Sequence, residues 1–387
     1  MLENWLKKNQ NELIQLRRYL HKNPEIGYAE KETSAYLKNY LKSLELQIIE
    51  NNDMKFGFYT ELGPLTDNIL AIRCDLDALP IQDKKNCEYS SKKTKTMHAC
   101  GHDAHMTILI GLIKFLKEYE SKLTGRIRFI FQPAEECSPG GAISMIKGGA
   151  INNVTHIIGY HLYPMLNSNQ IAIKEGFITA NVEVIEIELK CNGGHTSRPE
   201  ESVDLVLATS MLVSEINKNL EQIKSDESPI VFVFGSINGG DTFNVIPSNI
   251  KLKGTLRYVN SAQKETIHDS INKAISEINN ITGAEIEFSI PYSSPGIYNN
   301  KLLTQLIIDS GNSILEKNNT VILEKGSLGG EDFAFYLEKI PGAYFRIGCY
   351  DGHSRDLHCN YFDINEDCIF TGINILKSVI LNYGHLS

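Results

Sequence analysis

Two hydrophobic periods alternate along the first half of this chain, and that alternation restricts its fold more than any other feature. Apolar runs of strand length occur at FGFYTEL (56–62), NILAIRCDLD (68–77), RIRFIFQ (126–132) and HIIGYHL (156–162). Helical spacing fills the two intervals that flank RIRFIFQ, with HMTILIGLIKFLKEYE (105–120) and GGAISMIKGG (140–149). Strands that read as near-continuous apolar runs need cover on both faces, and the intervening helices supply it. The pattern predicts an α/β domain with a mostly parallel central sheet. Two further helical stretches, NELIQLRRYLH and KETSAYLKNYLKSL, precede it.

The texture changes near Asn181. VEVIEIELK alternates strictly, so it reads as a strand with one wet face. A helix (202–220), two strands (229–237 and 249–259), a second helix (261–281) and a last strand (284–290) follow it. The order β-α-β-β-α-β is that of a ferredoxin-like layer. PYSSPGIYNN (291–300) marks its end, and the chain then returns to helix, strand and helix. With 387 residues, the expected organisation is a discontinuous catalytic domain, residues 1–180 and 292–387, interrupted by a small α+β domain at 181–291.

MHACGHDAHM (97–106) crowds three histidines and a cysteine into ten residues. In extended chain Cys100 and His102 face the same way, so thiolate and imidazole converge on one ion. A cysteine or a histidine alone is more often a buried thiol or a core imidazole; the pair among further imidazoles points to metal. The adjacent carboxylates Glu135 and Glu136 in FQPAEECSPGG follow a core strand and a proline. Strand ends are where α/β active sites collect. A bare EE is normally a solvated loop, but here one carboxylate can ligate while its neighbour acts as base. His161 lies at the end of HIIGYHL, and His358 lies in the polar segment SRDLHCNYF. Cys100, His102, Glu136, His161 and His358 together suit two divalent ions of the zinc, manganese, cobalt or nickel type.

MHACGHDAHM, FQPAEE, RCDLDALP, HKNPEIGYAEKETS, INGGDTFNVIP, GTLR and GGEDFAFY jointly resemble the amidohydrolase branch of the metal-dependent aminoacylase and carboxypeptidase superfamily. The resemblance runs from His21 to LHCNYFDINED. It implies a zinc-peptidase-like catalytic domain with an inserted ferredoxin-like lid. It also implies a homodimer, or a dimer of dimers, assembled through that lid. It implies the five residues above as metal ligands, Glu135 as general base and then acid, and Asp77 as the carboxylate that orients a ligand or the base. His195 is implied as a lid histidine that donates to the substrate carbonyl, in its own or the partner's site. Asn244 and Arg257 are implied as substrate-binding groups. Two positions depart from the pattern: Glu200 stands near where a second lid histidine is common, and Cys359 and Asn360 follow His358 in place of Ser-Pro.

The expected activity is hydrolysis of N-acetyl or N-benzoyl amino acids. Alternatives are an N-acetyldiaminopimelate deacetylase, a dipeptidase or carboxypeptidase with the same centre, and a metal-bound binding protein without activity. The spare carboxylate of the Glu135–Glu136 pair argues against the last. A net charge of -9 without basic runs gives no electrostatic reason to bind nucleic acid. No apolar run is long enough to span a membrane, and the start has no signal-peptide core. Eight scattered cysteines without framework spacing read as reduced thiols of a cytoplasmic protein.

Overall fold

The computed structural model describes residues 2–385. The chain divides into two compact units. One contains the chain up to Ile178, Tyr298–Glu324 and the chain from Asp332 onward; the other contains Thr179–Ile297 and Lys325–Glu331.

The first unit is built on a seven-stranded sheet in the order Phe58–Leu62, Arg126–Gln132, Ile69–Asp75, Val154–Asn167, Gly342–Tyr350, Ile171–Ile173, Thr320–Ile322. The first pairing is antiparallel and the next three are parallel. Ile171–Ile173 runs antiparallel to Gly342–Tyr350 and parallel to Thr320–Ile322. The mostly parallel α/β architecture expected from the alternating periods is therefore present. Ile69–Asp75 is buried at every residue, as a central strand covered on both faces must be.

Helices His102–Glu118 and Asp367–Asn382 pack closely over one face. A Cβ on Gly372 would stand 2.7 Å from Ile108 Cδ1. Leu109, Ile113, Phe129, Phe345, Ile373 and Leu376 are fully buried in this core, and each contributes roughly 1.5–3 kcal/mol by leaving water. Helix Leu2–Lys22 adds Leu13, Leu16 and Leu20 at helical spacing.

Register sets what the strand ends offer. Asp75 stands opposite Gln132, Arg73 opposite Gly159, and Arg346 opposite His161. Gln132, Asp75, His161 and Arg346 thus form one row on one face, because paired residues and residues two apart share a face.

The second unit has a four-stranded antiparallel sheet in the order Glu285–Ser294, Asn181–Lys190, Asn249–Tyr258, Ile230–Asn238. With helices Leu205–Glu221 and Lys264–Thr282 inserted, the chain order is β-α-β-β-α-β and the topology is ferredoxin-like. Ile185, Ile187 and Leu189 alternate with half-buried residues and pack with Leu212, Ile216, Leu252 and Ile271. Asp204 caps the first helix, accepting from Leu207 N–H at 3.0 Å. No helix of the described residues is long and apolar enough to cross a membrane.

Candidate metal centre

Cys100 and His102 converge, but not through extended chain. Gly101 takes φ +90°, and His102 opens the helix His102–Glu118. The left-handed turn redirects the backbone between the two donors, and a side chain at Gly101 would also meet Leu162 Cδ1 at 2.8 Å. His161 lies within its strand, not at its end, and its Nε2 sits 3.2 Å from Cys100 Sγ. Its Nδ1–H donates to Leu162 O at 2.7 Å, so Nε2 presents a lone pair.

Glu135 and Glu136 follow a turn in which Ala134 is held at φ +53°. His358, also at positive φ (64°), is tied to the first loop by its N–H donating to Ala99 O at 2.8 Å. Its Nε2 lies 3.1 Å from Glu136 Oε1. One candidate ligand atom from each of Cys100, His102 and His161 lies within 4.8 Å of the others. The same holds for Cys100, Glu136 and His358, and for His102, Glu135 and Glu136. All five ligand candidates and the proposed base are therefore brought together.

Asp77 serves two of them. Its carbonyl accepts from His102 Nδ1–H at 2.8 Å, and its Oδ2 accepts from the Glu136 N–H at 3.0 Å. Because a carbonyl can only accept, His102 carries a proton on Nδ1. Its buried Nε2 has no hydrogen-bond partner among the described residues. Burial opposes charge on this ring, yet Asp75, Asp77 and Glu136 outweigh it and hold His102 up at about 10. Burial, then Glu136 and Glu135, push the Cys100 thiol well above its ordinary value. Burial, then His105 and His102, hold His161 well below its ordinary value. Glu136 is lowered although burial opposes it, because His358 and His102 face it. A sulfur, three imidazoles and two carboxylates, with an orphaned imidazole nitrogen, fit a divalent cation.

The other two histidines of MHACGHDAHM do different work. His105 Nδ1–H donates to Asp75 Oδ1 at 2.7 Å, and its Nε2 accepts from Leu162 N–H at 2.9 Å. Both nitrogens are used, so His105 supports the centre without ligating. His98 is buried with neither nitrogen hydrogen-bonded among the described residues, and burial holds it down at about 3. Beneath the site Arg73 binds Gln132 Oε1, Asp75 Oδ2 and Asp332 Oδ1 at 2.8, 2.8 and 2.9 Å. The fully buried Glu30 accepts from the Ala134 N–H at 2.7 Å and thereby holds the turn before Glu135. Sequence pattern assigned roles to none of His105, Arg73, Asp332 and Glu30. MHACGHDAHM, RCDLDALP, GGEDFAFY and YAEKETS contain them, but nothing in their spacing reveals which atoms they reach.

His195, Asn244 and Arg257 belong to the second unit. His195 pairs with Val245 in a two-residue ladder, next to Asn244. Its Nδ1 lies 3.0 Å from Ser197 N–H, which can only donate, so Nε2 bears the ring proton. Arg257 donates to Leu328 O at 2.6 Å. Asn244 Oδ1 accepts from Thr242 at 3.2 Å.

Residues 71–382 match the profile of Peptidase family M20/M25/M40. A probable hydrolase of Synechocystis sp. is 33% identical over 376 residues, 96% of this chain and 95% of that protein. N-acetylcysteine deacetylase of Bacillus subtilis is 33% identical over 359 residues, 92% and 93% of the two chains. A crystal structure of a dinuclear metal-binding peptidase of the M20 family, also from Bacillus subtilis, superposes with a TM-score of 0.86 at 30% identity, covering 97% of this chain and 99% of that one.

Proposed function

Because the chain belongs to Peptidase family M20/M25/M40, we propose that it uses two divalent ions to hydrolyse the amide bond of N-acyl amino acids, releasing a carboxylate and the free amino acid. That it is a metal-dependent hydrolase of amide bonds follows from the family; the substrate and the residue roles are the proposal. The observation that carries it is the convergence of five donors beside a second carboxylate, Glu135.

In this reading Cys100, His102, Glu136, His161 and His358 hold the ions, which are zinc, manganese, cobalt or nickel. Such ions, when bound, polarise a carbonyl and make water acidic enough to attack near neutral pH. Glu135 takes the proton of the attacking water and delivers it to the departing nitrogen. Asp77 fixes the His102 tautomer through its carbonyl and the Glu136 backbone through its carboxylate. His195, with its proton on Nε2, donates to the oxygen that gains charge in the tetrahedral intermediate, in its own site or in the partner's. Arg257 offers a planar fork to the substrate carboxylate, with Asn244 beside the His195 ladder as a second polar contact. We place the protein in the cytoplasm as a homodimer formed through the second unit.

The test is a panel of N-acetyl amino acids, including N-acetylcysteine, N-benzoyl amino acids and dipeptides, assayed on protein loaded separately with each metal. Cleavage of acylated amino acids in preference to dipeptides is expected. If no acylated amino acid is cleaved under any loading, the proposal fails.

A further inference from the structure

Arg346 shares the row of His161 and has no counter-charge among the described residues. It stands opposite His161 in parallel register, so the two side chains project to the same face from Cα atoms about 4.8 Å apart. Only 9% of the residue is exposed. Its guanidinium lies 4.6 Å from the ring centroid of Tyr163, two residues beyond His161 on the same strand and the same face. Among the described residues Arg346 has no ion pair and no side-chain hydrogen bond.

The other deeply buried arginines of this unit are all neutralised. Arg17 has Asp103, Asp363 and Glu366; Arg73 has Asp75 and Asp332; Arg128 has Glu61. A buried cation without its anion is unfavourable, and it persists where a ligand brings the missing charge. Stacking on Tyr163 occupies the face of the guanidinium, whereas its N–H groups lie in the plane. They stay available at the edge, in the fork geometry that matches a carboxylate.

We propose that Arg346 receives a carboxylate of the substrate on the face that carries His161. The proposal rests on the hydrolase reading for calling that ligand a substrate, but not for the anion site itself. The carboxylate can come from the amino-acid side chain, from the acyl group or from the α-position. Matched substrate pairs separate these sources: N-acetylglutamate against N-acetylglutamine, N-succinylmethionine against N-butyrylmethionine, and N-acetylmethionine against its amide.

The readout is the ratio of kcat/KM between charged and uncharged members of each pair, in the metal-loaded wild type, Arg346→Met and Arg346→Lys. In Arg346→Met the ratio of one pair is expected to fall about 10- to 100-fold, and Arg346→Lys, which keeps the charge and loses the fork, is expected to recover part of it. A purely structural role would lower both members alike and leave every ratio unmoved; three unchanged ratios overturn the proposal. Succinate binding by calorimetry supplies a readout independent of turnover, with at least about a tenfold weakening expected in Arg346→Met. If the wild type cleaves nothing but this weakening is seen, the hydrolase reading fails and the anion site stands. Equal succinate affinity in the two proteins, or none in the wild type, overturns the site.

Discussion

Glu135 and Glu136 are neighbours in sequence and both lie near His102. The Glu136 backbone is fixed by Asp77 and its carboxylate also faces His358, while Glu135 Oε2 lies 4.0 Å from His102 Nε2. Glu135→Gln keeps the shape and every proposed ligand, so metal content should match the wild type while kcat falls about 10²- to 10⁴-fold. Near-normal turnover in that variant would remove Glu135 as the base. Glu30 gives a prediction in pH. Burial, then Asp77, raises its carboxyl from 4.5 to about 7. Between those values the folded protein keeps a proton that the unfolded chain has lost, so this group makes stability fall as pH rises from about 4.5 to about 7. Glu30→Gln cannot titrate and should gain up to about 3 kcal/mol on the wild type across that interval, measured by denaturant melts at about pH 5 and about pH 8. A wild type-to-variant difference that is the same at both ends would contradict the assignment.

At the scale of elements, the centre depends on how chain segments begin and end. The helix His102–Glu118 starts one residue after a left-handed glycine, and that start aims His102 at the sulfur of Cys100. Gly101→Ala would force φ +90° on a residue with a Cβ and press it toward Leu162. A cost of about 1–2 kcal/mol is expected, together with reduced metal content, because the turn relaxes toward ordinary dihedrals. Denaturant melts and elemental analysis check both; a variant as stable and as metal-loaded as the wild type would show that the turn has other means of support. The Pro133–Glu136 turn is held from a different direction, by Glu30 on the Ala134 N–H and by the Gly141 N–H donating to Ala134 O at 3.0 Å.

At the scale of the molecule, buried ion pairs join distant parts of the first unit. Arg17 on the first helix reaches Asp103 beside the metal ligands and Asp363 and Glu366 before the last helix. Glu61 joins Arg126 and Arg128 on the neighbouring strand. Burial works against ionisation of Asp363 and Glu61, but Arg17 and the two strand arginines outweigh it and lower both carboxyls. A carboxylate with a depressed folded value stabilises the protein above its unfolded value and loses that contribution as pH falls. Cooperative acid unfolding is therefore expected to set in below about pH 4, followed by circular dichroism. Stability unchanged down to about pH 2 would mean that these pairs contribute little.

Local pattern was enough for much of this protein. The switch from strand to helix period decides the layer architecture because burial on two faces and burial on one leave different spacings. The order β-α-β-β-α-β decides the second sheet's topology because so few arrangements bury its apolar face. Donor chemistry singled out Cys100, His102, Glu136, His161 and His358, since thiolate, imidazole and carboxylate are the side chains that bind such ions. What only the tertiary structure decided is which nitrogen, which face and which partner. His102 and His105 differ by three residues on one helix, yet only His102 keeps an unpartnered nitrogen, because Leu162 and Asp75 use both nitrogens of His105. Arg346 reads as one more polar residue in AYFRIG until strand register sets it beside His161. Pairing between strands more than a hundred residues apart leaves no local trace, and hydrogen bonds made across that distance decide protonation and exposure.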